Sequence, residues 1–169
     1  MANVRSIGGR AKFDKFKKDI LDNRVWDFNA LILCETHITK KLAINGWRIQ
    51  QTRLDGKGGA LVASTHARFK AIKTLGTRVA WASLSVDFLP VHLISIYLEP
   101  QNPSATRETI ERLLIAIDGV LEKLPTSRFI IAGDLNEQRE IMDKTLSPRG
   151  FGAAIPNGTP THKGGNHLD

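Results

Sequence analysis

Two hydrophobic periods alternate along the chain and divide it into predicted helices and strands. Residues 11–23 place Phe13, Phe16, Ile20 and Leu21 at helical spacing, with the lysines mostly on the other side. ALILCET (30–36) is a short continuous apolar run, as in a strand covered on both faces. GGALVAS (58–64) reads as another strand. In WASLSVDF, Ala82, Leu84, Val86 and Phe88 alternate with Trp81, Ser83, Ser85 and Asp87, the two-residue period of a half-buried strand. VHLISIYLEP (91–100) suits its antiparallel neighbour across a short Leu-Pro connection, and Pro100 and Pro103 stop the sheet. Ile110, Leu113, Leu114, Ile117, Leu121 and Leu124 predict an amphipathic helix over 106–124, ended by Pro125. RFIIAGD returns as a strand whose apolar run predicts full burial, and a short helix is expected over 138–146.

Strands therefore occur both as a hairpin and as helix-linked units, and a mixed sheet with helices on its faces is the simplest account. No repeat or linker divides the 169 residues, so a single domain over 1–169 is expected. No apolar run approaches the roughly 18 residues of a membrane span. The segment MANVRSIGGR lacks the hydrophobic stretch of a signal peptide. Cys34 is the only cysteine, which rules out an intramolecular disulfide and points to a reducing, intracellular compartment. Net charge is +7, with Lys12, Lys15, Lys17 and Lys18 in one segment. Such an excess attracts a polyanion; it equally describes the solvated face of a merely basic protein.

In layered folds of this kind ligands sit at loops beyond strand ends. The polar residues at the predicted strand exits and chain ends are Asn3, Glu35, Tyr97, Asp134, Asn136 and Asp169. Three carboxylates and two amides meeting at one point would bind a hard divalent cation, which keeps several waters for a phosphate to replace. Metal-assisted phosphoester hydrolysis is the chemistry suggested, with a carboxylate aligning or deprotonating the attacking water. Each residue also has an ordinary reading: Glu35 as a surface carboxylate, Tyr97 as sheet filler, Asp134 and Asn136 as turn residues. Asn3 and Asp169 lie near chain ends, where order is lowest. Other chemistries lack their patterns. IGGR and GKGGA do not have phosphate-loop spacing, no GxSxG occurs, and no zinc-ligand spacing is present.

Taken together, NVRSIGGR, ALILCETHI, GGALVAS, LISIYLEPQNP, FIIAGDLNEQ and GTPTHKGGNHLD, in this order, resemble the endonuclease/exonuclease/phosphatase superfamily. The likeness is greatest to the endonuclease domains of non-LTR retrotransposons. It implies a four-layer α/β sandwich, two mixed β-sheets face to face with helices outside. It also implies magnesium- or manganese-dependent cleavage of DNA phosphodiester bonds. By position, Glu35 of ETH would be the metal ligand with Asn3 beside it, and Tyr97 would contact the scissile phosphate. Asp134 of GDLN would orient or activate the water, and Asn136 would hold the phosphate or the transition-state charge. Thr161 and His162 match the segment lining the DNA groove. Asp169 matches the aspartate that orients a catalytic histidine.

The resemblance also marks a departure. The family's domain continues past the Leu-Asp pair to a terminal Ser-Asp-His, whereas this chain ends at Asp169. None of His37, His66, His92, His162 and His167 has that histidine's context. A sandwich truncated at its C-terminus would leave an open sheet edge and exposed apolar surface, for another chain to cover or complete. Two functions of different class follow: a DNA-nicking endonuclease domain, acting in the nucleus if it serves a retrotransposon, and a catalytically incomplete relic serving as a structural or nucleic-acid-binding subunit. A phosphatase of small molecules is a third reading within the superfamily, opposed by the positive charge.

Overall fold

A computed structural model describes residues 2–3, 7–22, 28–52, 58–100, 102–136 and 139–154, with the side chains of residues 2, 3 and 139 excluded. Among the described residues eight strands form two sheets. The first contains β1 (Ala2–Asn3), β2 (Ala30–Cys34), β3 (Arg48–Gln51) and β4 (Ala60–Ser64), in the order β1-β2-β4-β3. The second contains β5 (Lys70–Leu75), β6 (Val79–Val86), β7 (Leu89–Tyr97) and β8 (Arg128–Asp134), in sequence order. Both sheets are mixed: β1 runs parallel to β2 and β8 parallel to β7, while the other pairs are antiparallel.

Three apolar clusters separate four layers. Phe16 and Ile20, from α1 (Arg10–Phe16) and the π-helical turn Lys17–Leu21 that continues it, cover Leu31, Leu33, Leu61 and Ala63 on the outside of the first sheet. Ile32, Ala60, Val62, Ala80, Ala82, Leu84 and Leu93 fill the space between the sheets. Ile110, Leu113, Leu114 and Ile117 of α2 (Pro103–Leu121), with Met142 and Leu146 of α3 (Arg139–Leu146), cover the outside of the second sheet. Ser95 Oγ crosses the interior and donates to the Leu33 carbonyl at 2.6 Å. A hydroxyl in an apolar layer needs such a partner, and here the partner belongs to the opposite sheet.

Several sequence expectations are corrected. The long helix begins at Pro103, where Asn102 caps the Ala105 N–H, and ends at Leu121. Proline is favoured at a first helical position because its missing N–H needs no partner there. The β6–β7 connection is Asp87–Phe88, both at positive φ, in a two-residue hairpin of the kind that matches strand twist. Leu89 and Pro90 already belong to β7, and Pro90 lies where β8 does not reach. Strand β6 is buried on both faces over Val79–Ala82, because the helical layer covers Trp81 as well. Strand β8, expected to be fully buried, instead lies at the edge of its sheet among the described residues, with Ile130 51% exposed. Within the lysine-rich segment, Lys15 pairs with Asp19 and Lys17 with Asp22, so part of its positive field is neutralised locally.

Trp81 Nε1 donates to His92 Nδ1 at 2.9 Å, and the His92 ring stacks on Phe129 with centroids 4.7 Å apart. The accepting Nδ1 makes this the neutral tautomer. Burial pushes the imidazole pKa below its ordinary 6.5. As pH falls through that ordinary value the unfolded chain takes up a proton that folded His92 refuses, so stability is lost until the folded pKa is reached. Between pH about 8 and about 5, the melting temperature of the wild type should fall more than that of His92→Asn, whose Oδ1 can take the accepting Nδ1 position opposite Trp81 but which cannot titrate.

Candidate active site

The C-terminal ends of β2, β7 and β8 meet at one mouth of the sandwich. Tyr97 and Asp134 are register partners, the last residues of their parallel strands. Strand alternation turns both toward the interior, on the face that Ser95 and Ala132 share. Cys34 ends β2 on the opposite sheet, with Asn3 as its register partner in β1, and Glu35 follows it. Residues 161, 162 and 169 lie outside the described residues, as does the side chain of Asn3. Of the expected set, the fold brings together Glu35, Tyr97, Asp134 and Asn136, and places the Asn3 backbone one residue from Glu35.

Their proximity is visible in shared electrostatics. Tyr97's phenol is pushed above its usual pKa by burial first, then by the carboxylates of Glu35, Asp134 and Glu99. Cys34's thiol is pushed up to about 12, by burial first and then by Asp134 and Glu35. At neutral pH the thiol is therefore no nucleophile, and the phenol is a hydrogen-bond donor. Glu35 is drawn from the first sheet and Asp134 from the second, so the pocket straddles both.

Backbone geometry builds the pocket. Asn136 N–H donates to Asp134 Oδ1 at 3.0 Å, closing a tight turn after β8. Asn136 Nδ2 donates to the Leu98 carbonyl, and Leu98 N–H to the Asp134 carbonyl at 2.9 Å. GDLN is thus knitted to the end of β7. Among the described residues, five non-glycines have positive φ. Two form the Asp87–Phe88 hairpin; the other three, Glu35, His37 and Asn136, all belong to this site. Conformations of this kind cost energy and persist where surrounding structure enforces them.

Four glycines pack closely around these turns, and sequence reasoning missed two of them. A Cβ on Gly133 would lie 1.7 Å from the Ile96 carbonyl oxygen, and one on Gly8 2.0 Å from the His37 carbonyl oxygen. Gly58 and Gly59, read as a tight turn into a strand, do have positive φ, but Gly58 also lies against the Tyr97 ring, which its Cβ would meet at 2.5 Å. Arg78 was also missed. Its carbonyl accepts Tyr97 N–H at 2.9 Å, and its guanidinium pairs with Glu99 at 2.8 Å. No spacing rule marks these residues; the only signal they offer is their occurrence beside segments already singled out.

Among the described residues no group of three or more His, Cys, Asp or Glu side chains is assembled to hold a metal. Magnesium needs one or two carboxylates and keeps its waters. Glu35 and Asp134, close enough to act on the same phenol and thiol, fit that smaller requirement.

No protein-family model and no curated protein matches the chain. Solved structures do. Similarity extends to the endonuclease domain of TRAS1, a telomere-specific non-LTR retrotransposon, at 19% identity and TM-score 0.61, over 95% of this chain and 74% of that one. NExo from Neisseria, a 3′ phosphatase seen bound to product DNA hairpin, is similar at 14% identity and TM-score 0.54, over 79% of this chain and 55% of that one. TDP2 from C. elegans is similar at 16% identity and TM-score 0.51, over 93% of this chain and 50% of that one. The protein has the endonuclease/exonuclease/phosphatase fold. No described helix is long and apolar enough to cross a membrane.

Proposed function

We propose that the chain is a divalent-metal-dependent phosphodiesterase domain that nicks DNA, of the kind non-LTR retrotransposons carry, and that it acts on nuclear DNA. The observation that carries this reading is the meeting of Glu35, Tyr97 and Asp134 at one mouth of the sandwich, where burial and the carboxylates of Glu35, Asp134 and Glu99 keep the phenol protonated. Net charge +7 supports a polyanionic substrate.

Glu35, with Asn3 beside it, would hold a magnesium or manganese ion, which when bound neutralises charge on the phosphoryl oxygens and leaving group. Tyr97 donates its phenolic hydrogen to an oxygen of the scissile phosphate. Asp134 orients the attacking water and accepts its proton. Asn136 keeps one Nδ2 hydrogen on the Leu98 carbonyl and offers the other to the phosphate, where charge builds. Thr161 and His162 would line the DNA groove, and Asp169 would take the place of the aspartate that in the family orients a histidine, a partner that none of this chain's five histidines matches by context.

Supercoiled plasmid incubated with the chain should relax to nicked circles with magnesium or manganese, and not with a chelator. Glu35→Gln should abolish metal-dependent nicking and weaken binding of manganese, read directly by its paramagnetic resonance. A protein that neither nicks DNA nor binds either cation would overturn the reading.

A further inference from the structure

His37 lies beside Glu35 and against Gly58, the glycine packed on the Tyr97 ring, and takes no part in the chemistry proposed for the site. Its Nδ1 accepts the Gly58 N–H at 3.3 Å, and its own N–H donates to the Gly58 carbonyl at 2.6 Å. Because Nδ1 is an acceptor, the neutral ring carries its hydrogen on Nε2. That nitrogen lies 3.7 Å from Glu35 Oε1, within ion-pair range and longer than a formed hydrogen bond. The placement is built from several sides. Both residues have left-handed backbones, with φ of 56° at Glu35 and 48° at His37. The His37 carbonyl fits only against a glycine at position 8. The next residue, Ile38, is buried in the cluster outside the first sheet. Gly58, which fixes the tautomer, also packs on the Tyr97 ring.

Resting on the proposed metal-dependent reading, we propose that His37 is a positioning residue that holds the Glu35 carboxylate in its cation-binding orientation through Nε2–H. Groups that orient a ligating carboxylate contribute to metal affinity without touching the metal. Gly58 then has two functions: its N–H fixes the donor on His37, and its missing side chain lets Tyr97 close over the loop.

Two substitutions separate this role from simple packing. His37→Asn tolerates a left-handed backbone and can still accept the Gly58 N–H, but has no donor at the Nε2 position. His37→Gln extends an amide donor to that position. Manganese affinity, measured with manganese alone by paramagnetic resonance, should fall about tenfold or more in His37→Asn. In His37→Gln it should return to within about threefold of wild type. Without metal His37→Gln should melt lower than His37→Asn, since it gives up the Gly58 N–H acceptor and is less suited to positive φ, so stronger manganese binding by His37→Gln cannot be a packing effect. Wild-type affinity in His37→Asn, or equal weakness in both variants, would overturn the inference and leave the proposed function standing. Absence of manganese binding in the wild type would overturn both.

Discussion

Asp134→Asn is expected to slow plasmid nicking by about a hundredfold to ten-thousandfold, the range for losing a positioned general base, while the fold persists. The substitution is a clean probe because asparagine retains the Oδ1 that accepts the Asn136 N–H. The turn after β8 should close as before, and only the proton-accepting charge is lost. Tyr97 provides an internal check, being the only tyrosine in the chain. Asp134 is one of the charges that raise its pKa, so removing that charge should lower the phenol's titration midpoint, read from tyrosinate absorbance. Slow nicking with an unchanged midpoint would mean that Asp134 acts elsewhere. An unchanged nicking rate would remove it from the mechanism.

The second large effect concerns the residue before it. In Gly133→Ala the new Cβ would sit 1.7 Å from the Ile96 carbonyl oxygen, far inside contact distance, and backbone rather than a flexible side chain would have to yield. Overpacking of this severity should cost about 3 kcal/mol or more, measured as a lower urea midpoint. Strand β8 would be displaced from β7 at the position that aligns Asp134 with Tyr97. Gly119 provides the contrast, since it lies within α2 and a Cβ there would meet nothing within 4 Å. Gly119→Ala should stabilise by about 1 kcal/mol through helix propensity. Equal destabilisation by both alanines would contradict the packing described for β8.

Much of this arrangement was legible in the sequence because the chemistry occupies predictable places. Glu35, Tyr97 and Asp134 each follow or end an apolar run, and such runs are readable as strands. Strands β3 and β5 were missed: RIQQ and KAIKTL carry neither a continuous apolar run nor clean alternation, and β5 is further interrupted by a register shift between Ala71 and Lys73. Their strand character comes from pairing with β4 and β6, so tertiary context overrides weak local preference. FIIA was misjudged for the converse reason, since hydrophobicity does not say whether a strand lies at the centre or the edge of a sheet. In the sequence His37 is weighed only as a substitute for the family's histidine, and Gly8 not at all, because close approach of two backbones leaves no periodic trace.

The hydrogen bond from Ser95 to the Leu33 carbonyl ties together the two layers that divide the pocket between them. Sliding one sheet over the other by a single strand residue, about 3.3 Å, would leave every strand intact and yet carry Glu35 out of line with Tyr97 and Asp134. Shear between the two sheets would therefore dismantle the candidate site without unfolding either sheet. The bond between Ser95 and Leu33 resists it, with Ser95 two residues from Tyr97 on one side of the interface and Leu33 two residues from Glu35 on the other.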